Sequence, residues 1–313
     1  MLLPSLLLLI PALLAVAFLT LFERKLMAAL QLRLGPTDTG LYGLLQPIAD
    51  ALKLLSNELI LPTSSPTAIY LAAPSLLLIL SLFLWAWLPF GTGHVLLTTS
   101  YSLLLILAIS SLNVHAITLA GWSSQSAYSL LGSLRSSGQM LSYELVFSTL
   151  LLTLYLLTGS LTLSLYPYLS SLYLGLLLPP LLPIGLVTII AETNRAPFDL
   201  PEAEAELVAG YNVEHSSATF TYFFLAEYSN LILMLAFYSL LLLSGWSLSS
   251  LPSFLLPLIA SLKLLVLLGI AVFLRAAYPR YRYDQLMALC WHSLLPLTLL
   301  LLGTSYFLIT AYN

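Results

Sequence analysis

Long runs of apolar residues, broken by short polar intervals, dominate the chain. A membrane-crossing helix needs about 20 mainly apolar residues to span roughly 30 Å of hydrocarbon. The first charge is Glu23, so residues 2–22 form one such run. No charge occurs between Glu58 and Arg135, and the turn-rich Pro89-Phe90-Gly91-Thr92-Gly93-His94 divides that stretch into spans at 69–90 and 99–120. Further runs lie at 138–158 with Glu144, 172–191, 220–243 with Glu227, 253–274 with Lys263, and 286–310. Pro179, Pro180 and Pro183 predict a kink or local unwinding in the fifth run. The pattern predicts an all-α polytopic membrane protein. It forms a single membrane domain over residues 1–313, with eight transmembrane helices and both termini on one side.

Composition agrees with the pattern and narrows the chemistry. Only 23 of 313 residues are charged, or 7%, against about 25% in a soluble domain, which excludes a soluble enzyme. The single cysteine, Cys290, excludes an intrachain disulfide, a Cys-ligated cluster and a structural zinc site. A net charge of −3 with ten basic residues gives no nucleic-acid footprint. The first run lacks a basic n-region and leads into Glu23-Arg24-Lys25, so it reads as a span rather than a signal. His94, His115, His215 and His292 fall in separate segments, which argues against paired haem ligands and for packing or interfacial roles. No G-x-G-x-x-G or G-x-x-x-x-G-K-[ST] string is present. Any nucleotide or soluble redox centre this protein serves therefore sits on another polypeptide.

The charges sort by side. The loops 23–68, 121–137, 192–219 and 275–285 hold nine of the ten basic and eleven of the thirteen acidic residues. The loops 91–98, 159–171 and 244–252 hold none. Basic loops stay on the side from which a membrane protein is inserted, so the charged face is the cytoplasm or matrix.

Three groups of residues on or below that face can carry chemistry. In Gly40–Glu58, Leu41, Leu44, Leu45, Ile48, Leu52 and Leu55 form a helical apolar stripe, while Asp50 and Lys53 are spaced to pair. This segment reads as an interfacial helix, either a surface anchor or a lip that guides a lipid-soluble ligand. The stretch 191–214 contains six acids and one arginine, a local charge of −5. Pro201 suits a first helical turn, with Glu202 and Glu204 near its positive end; Glu202 and Glu206 then repel at i,i+4. That loop either exchanges protons through coupled carboxylates or docks a basic partner. Within the spans, Glu192 lies at the charged boundary, Glu144 roughly 9 Å in, Glu227 roughly 10 Å and Lys263 roughly 17 Å. Intramembrane charges cost about 2.5–3.5 kcal/mol at a helix centre and mark ion or proton paths, unless they are buried structural pairs. The last loop, Arg275–Gln285, interleaves basic and aromatic residues as an interfacial anchor does, and offers a positive rim to the acidic loop.

Taken together these strings resemble a known family. They are Phe22-Glu23-Arg24-Lys25, Gln31-Leu32-Arg33 with Gly35-Pro36, Tyr42-Gly43-Leu44-Leu45-Gln46-Pro47 with Ala49-Asp50-Ala51 and Lys53-Leu54, and Ser142-Tyr143-Glu144. They continue with Ala191-Glu192-Thr193-Asn194-Arg195, Pro197-Phe198-Asp199-Leu200, Ala226-Glu227-Tyr228, Arg280 and Arg282-Tyr283-Asp284-Gln285-Leu286-Met287. The chain is similar throughout to the subunit 1 family of NADH:ubiquinone oxidoreductase (respiratory complex I), which has a counterpart in the bacterial enzyme. Its length and its low Lys and Cys usage resemble a mitochondrially encoded member.

The resemblance implies a multi-pass subunit of the mitochondrial inner membrane, with termini on the intermembrane-space side and the amphipathic helix on the matrix side. Such a subunit forms the membrane end of the ubiquinone tunnel and couples quinone reduction to proton translocation. By that resemblance Arg24, Arg33, Asp50, Phe220, Phe224 and Arg275 line the tunnel. Arg195, Asp199, Glu202, Glu204, Glu206 and Glu214 belong to the acidic coupling loop, and Glu144, Glu192 and Glu227 to the proton path. It also implies no catalytic residue, metal or cofactor on this chain. Ubiquinone is the substrate, and NADH, FMN and iron–sulfur clusters belong to partner subunits. The implied partners are hydrophilic quinone-site subunits on the matrix side and antiporter-like and small subunits in the membrane. A stand-alone secondary cation/proton antiporter using the same carboxylates is the alternative; a di-haem quinol cytochrome fails on histidine spacing. The chain departs from the family pattern at Thr37, Tyr211, His215 and Ala218-Thr219, where Asn, Phe, an aromatic and Gly-Pro are expected.

Overall fold

A computed structural model describes residues 2–89, 95–166, 179–199, 210–243 and 256–312. Among them there is no strand. The helices are α1 (Leu2–Leu30), α2 (Gln46–Ser56), α3 (Thr67–Leu84), α4 (Ser102–Ser123), α5 (Ala127–Thr158), α6 (Leu181–Glu192), α7 (Ser217–Leu242), α8 (Leu256–Ala277), α9 (Tyr283–Ala288) and α10 (Leu295–Tyr312). A π-helical segment, Leu289–Leu294, joins α9 to α10. Among the described residues six stretches are long and apolar enough to cross a membrane: Thr67–Trp87, Ser102–Ser123, Ala127–Thr158, Ser217–Leu242, Pro257–Ala277 and Tyr283–Thr310. These match six of the expected spans, and the protein is an all-α membrane protein.

The helix ends differ from the sequence expectation for physical reasons. The first helix does not stop at Glu23 but continues through Arg24 and Lys25 to Leu30, because Arg195 and Arg275 pair with the buried Glu23 and make it tolerable inside the helix. The expected loop 121–137 shrinks to a short turn, because α5 begins at Ala127. Its Ser- and Gly-rich start looks like a loop by composition. Ser126 caps it by accepting from the Ser129 N–H at 3.4 Å. Ser133, Ser136 and Ser137 donate to carbonyls three residues back, so their hydroxyls are satisfied within the helix. At 32 residues, α5 runs about 48 Å, longer than the roughly 30 Å of hydrocarbon it has to cross. The described part of the fifth run is the 12-residue α6, with Pro180 as its N-cap and Pro183 in its first turn. Those positions lack an intrahelical N–H bond in any case. Any kink upstream, at 172–178, lies outside the described residues.

Helix α7 is the hub. Every side chain from Leu231 to Leu242 is buried, and α1, α2, α3, α6 and α8 pack around the helix. Helix α5 packs against α4, α6 and α10. Since lipid is as apolar as leucine, small and hydroxyl side chains hold such contacts. Ser229 of α7 donates to Ser81 of α3 at 2.8 Å, and Thr149 of α5 to Thr298 of α10 at 2.9 Å. A Cβ on Gly132 of α5 would lie 2.9 Å from the Gly210 backbone. Glycine there lets the 3-10 turn Gly210–Asn212 settle onto α5, where Ser129 Oγ donates to the Tyr211 carbonyl at 3.2 Å. That contact aims Tyr211 into the bundle.

Candidate functional site

The charged face converges on Glu23, which is only 5% exposed. Its carboxylate accepts from Arg275 at the end of α8, from Arg195 at 3.3 Å and from the Tyr228 hydroxyl at 2.8 Å. The Arg195 guanidinium also lies over the Tyr228 ring, 4.0 Å from its centroid. Burial works against its charge, but Tyr228 and Glu23 outweigh that and hold its proton more tightly than usual. Local backbone geometry delivers the arginine. Asn194 adopts a left-handed φ of 51° shortly after the last residue of α6, and the Arg195 N–H donates to the Ile190 carbonyl at 3.2 Å. A small cavity of about 20 Å³ runs beside this cluster, walled by Leu19, Ile190, Tyr228 and Val272.

A second cluster begins at the next residue of α1. Arg24 pairs with Asp50 of α2 at 2.6 Å, and Gln46 donates to the same carboxylate at 2.9 Å. Asp50 thus ties α2 to α1 rather than pairing with Lys53 as its spacing suggests. Lys25 donates to the Tyr42 carbonyl. The stripe Leu41, Leu44, Leu45, Ile48, Leu52 and Leu55 is exposed, as the amphipathic pattern predicts. Arg33 is exposed and donates to Gln31 at 2.9 Å.

The root of the acidic loop is held from below. The Gln139 amide of α5 donates to both the Ala191 and the Phe198 carbonyls at 2.8 Å. Phe198 stacks on Tyr281, with centroids 5.5 Å apart. Asp199, 3% exposed, pairs with Arg280 at 3.6 Å. The basic, aromatic last loop therefore does meet the acidic loop. Glu202, Glu204 and Glu206 lie outside the described residues. Glu214 is at the mouth of α7, where its carbonyl accepts from Tyr70.

Deeper in, Glu192 and Glu227 line one further cavity of about 20 Å³ bordered by α3, α4, α5, α6 and α7. Tyr211 donates its hydroxyl proton to Glu227. Glu144 is half-buried on α5. Phe220 and Phe224 pack together on α7 with centroids 4.5 Å apart. Lys263 does not join the carboxylates. Its ammonium donates to the Leu243 carbonyl at the far end of α7, roughly 24 Å along the helix from Glu227. Among the described residues no three His, Cys, Asp or Glu side chains group as a metal site requires.

Four residues of these clusters escape sequence reasoning. Glu23 and Tyr228 stand out only as members of the matching strings, Gln139 gives no signal, and Tyr211 looks like a departure. The available clue is Glu23 itself, the first charge after the apolar run 2–22.

A sequence profile of the family described as "NADH dehydrogenase" matches residues 3–305. The chain is 47% identical over 302 residues to a NADH-quinone oxidoreductase subunit of Rickettsia typhi, covering 93% of this chain and 88% of the relative. It is 48% identical over 299 residues to NADH-ubiquinone oxidoreductase chain 1 of Arabidopsis thaliana, covering 93% and 91%. The corresponding protein of Triticum aestivum is 49% identical over 301 residues, with coverage of 93% and 91%.

Proposed function

The chain belongs to the NADH dehydrogenase family, and on that premise we propose that it is a core membrane subunit of a proton-pumping NADH:ubiquinone oxidoreductase. It works as part of that enzyme, together with other subunits of the complex. The names carried by the relatives favour this role over a stand-alone antiporter. In the fuller reading the chain crosses the mitochondrial inner membrane eight times, with both termini in the intermembrane space. The one-sided distribution of charge supports that orientation.

The observation that carries the site assignment is the convergence on Glu23. One buried carboxylate ties α1, the root of the acidic loop through Arg195, and the end of α8 through Arg275. The next residue, Arg24, holds the exposed amphipathic helix. A hydrophobic quinone arriving from the bilayer would meet that apolar shelf first. Arg24, Asp50, Arg275, Phe220 and Phe224 would then bound the route of its headgroup, with Arg33 at its outer margin. Reduction of the headgroup changes charge beside Arg195, Asp199 and the acidic loop. Glu192, Glu144 and Glu227 would pass that change inward as proton movement, since ionisable groups within a bundle mark proton routes. In this reading flavin, iron–sulfur clusters and the NADH site lie on hydrophilic partners, and ubiquinone is the substrate met here.

Solubilisation in mild detergent tests the assignment. The chain should arrive in a large flavin- and iron-containing assembly that reduces ubiquinone with NADH. A free monomer exchanging ions down a pH gradient would restore the antiporter.

A further inference from the structure

Helix α2 is held to the bundle by polar contacts more than by packing. Of its 11 residues only Pro47 is buried, and Ile48, Leu52 and Leu55 stay exposed. The ion pair Arg24–Asp50 ties it to α1, but those side chains are 48% and 33% exposed, and an open pair of that kind fixes little by itself. A second donor reaches the same carboxylate. Gln46 opens α2, and its Nε2 donates to Asp50 Oδ1 at 2.9 Å while Arg24 holds Oδ2. The amide is braced in turn, because Thr39 Oγ1 donates to Gln46 Oε1 at 2.8 Å. Three hydrogen bonds thus run in series from Thr39 through Gln46 and Asp50 to α1.

The local chain brings Thr39 there. Leu45, the N-cap of α2, makes no side-chain capping bond, and the Thr39 carbonyl accepts its N–H at 3.3 Å. Gly40 and Gly43 take left-handed φ values of 73° and 75°, and a Cβ on Gly43 would run into the Pro36 carbonyl. The loop therefore folds back tightly enough to return Thr39 to the start of the helix. All these ties lie in the N-terminal half of α2. Among the described residues the next hydrogen bond to the bundle comes at Ile60, whose N–H donates to Ser216 at 2.9 Å. The later turns of α2 take their position from the end that Gln46 fixes.

We infer that Gln46, braced by Thr39, is a positioning residue that sets α2 as the wall for the quinone's isoprenoid tail, and so governs the preference for long-tailed over short-tailed quinones. The inference rests on reading α2 as the threshold of the quinone route. At 11 residues α2 is about 16 Å long, and its apolar stripe covers a tail only while the helix lies along that route. A headgroup with a short tail passes the wall and gains nothing from it once inside. Gln46 acts through Asp50 and the placing of α2, not by touching the substrate.

The test is made in the assembled complex, with two substrates: ubiquinone carrying a single isoprene unit, and ubiquinone with a full-length tail supplied in proteoliposomes. Gln46→Leu loses both hydrogen bonds, and Gln46→Glu sets a like charge against Asp50. Each should raise the KM of the long-tailed quinone about tenfold, with kcat retained and the short-tailed KM within about twofold of wild type. Gln46→Lys keeps a donor for Asp50 and should stay within about twofold for both substrates. A merely structural role would lower the amount of complex or kcat for both quinones alike and give no such split. An equal rise in both KM values would place Gln46 against the headgroup and overturn the inference, as would a lysine variant as impaired as the leucine one. If Arg275→Ala raises quinone KM while Gln46→Leu leaves the long-tailed KM unchanged, the brace falls and the route stands. No change in either variant removes the route itself. Should the Gln46 variants fail to assemble, Thr39→Val carries the test, since Thr39 reaches Asp50 only through Gln46. The same split at smaller amplitude is expected, and wild-type KM values for both quinones refute the inference.

Discussion

Glu23 and Arg195 stand 172 positions apart in the chain and 3.3 Å apart in the fold. The pair connects the first helix to the base of the acidic loop, and Arg275 completes it from α8. One acid between two arginines leaves the cluster with a net positive charge, so the carboxylate is the element the others depend on. Removing one partner of a buried pair costs about 3–5 kcal/mol, because the remaining charges lose their compensation. Glu23→Ala should therefore sharply reduce the amount of assembled complex, measured on native gels. Arg195→Lys should reduce it less. Normal assembly of Glu23→Ala would show that the cluster is not structural.

Arg275 has two duties in this arrangement, as partner of Glu23 and as part of the quinone route. Its side chain is 29% exposed, which leaves part of it facing outward. Arg275→Ala should raise the apparent quinone KM by about tenfold or more, in line with about 1.5–3 kcal/mol for a hydrogen bond to a charged group. Titration with a short-tailed quinone checks this, and unchanged kinetics would remove the residue from the route.

Glu227 is expected to matter for coupling rather than for electron entry. Glu227→Gln keeps the shape and the acceptor for Tyr211 but fixes the charge at zero. Quinone reduction and proton uptake should fall at least about tenfold, while NADH oxidation by an artificial acceptor stays intact. Tyr211→Phe, which removes the donor alone, should fall between that variant and the wild type. Coupled turnover at the wild-type rate in Glu227→Gln would exclude it as a relay.

The spans are legible because charge-free windows of the right length leave few alternatives in a membrane. What escapes is anything set by packing between segments. The start of α5 reads as a loop because serine and glycine favour turns. In the bundle they allow Gly132 to meet Gly210 and let the serine hydroxyls bond their own helix. Asp50 has Lys53 at helical spacing, yet Arg24 is the closer match once α2 lies along α1. The first run ends at Glu23 by charge counting, whereas two arginines from distant segments make a buried acid tolerable there. The family strings contain most of these residues without indicating which of them touch.

Gln139 offers a test of the loop root. Its amide serves two backbone carbonyls at once, those of Ala191 and Phe198. Gln139→Leu would leave both carbonyls buried and unpaired, at about 1–3 kcal/mol each. The segment after α6 should then become open to limited proteolysis, with cleavage near Phe198–Asp199 read by mass spectrometry. An unaltered digestion pattern would mean that Phe198 stacking on Tyr281 is sufficient to hold the loop.

His215 explains one departure from the family pattern and makes a pH prediction. It occupies an aromatic slot, stacked on Tyr70 at 4.2 Å between ring centroids and edge-on to Phe223 at 4.9 Å. Burial pushes the imidazole pKa down to about 4, with the Ala120 backbone pulling the other way. The folded chain therefore keeps His215 neutral where an unfolded chain, with a pKa of about 6.5, takes up a proton. Between those two values the unfolded state binds more protons, so stability falls as pH drops from about 6.5 to about 4 and is unaffected above that window. Full protonation of the unfolded state amounts to about 3 kcal/mol over that range. His215→Phe keeps the ring packing and removes the titration. Thermal inactivation of the complex, followed at several pH values, should show the variant losing less stability than the wild type on acidification. At pH of about 8 the two should inactivate alike, or the variant more slowly, because a phenyl ring has no buried nitrogen to satisfy. Parallel acid sensitivity in both proteins would assign the loss to other groups.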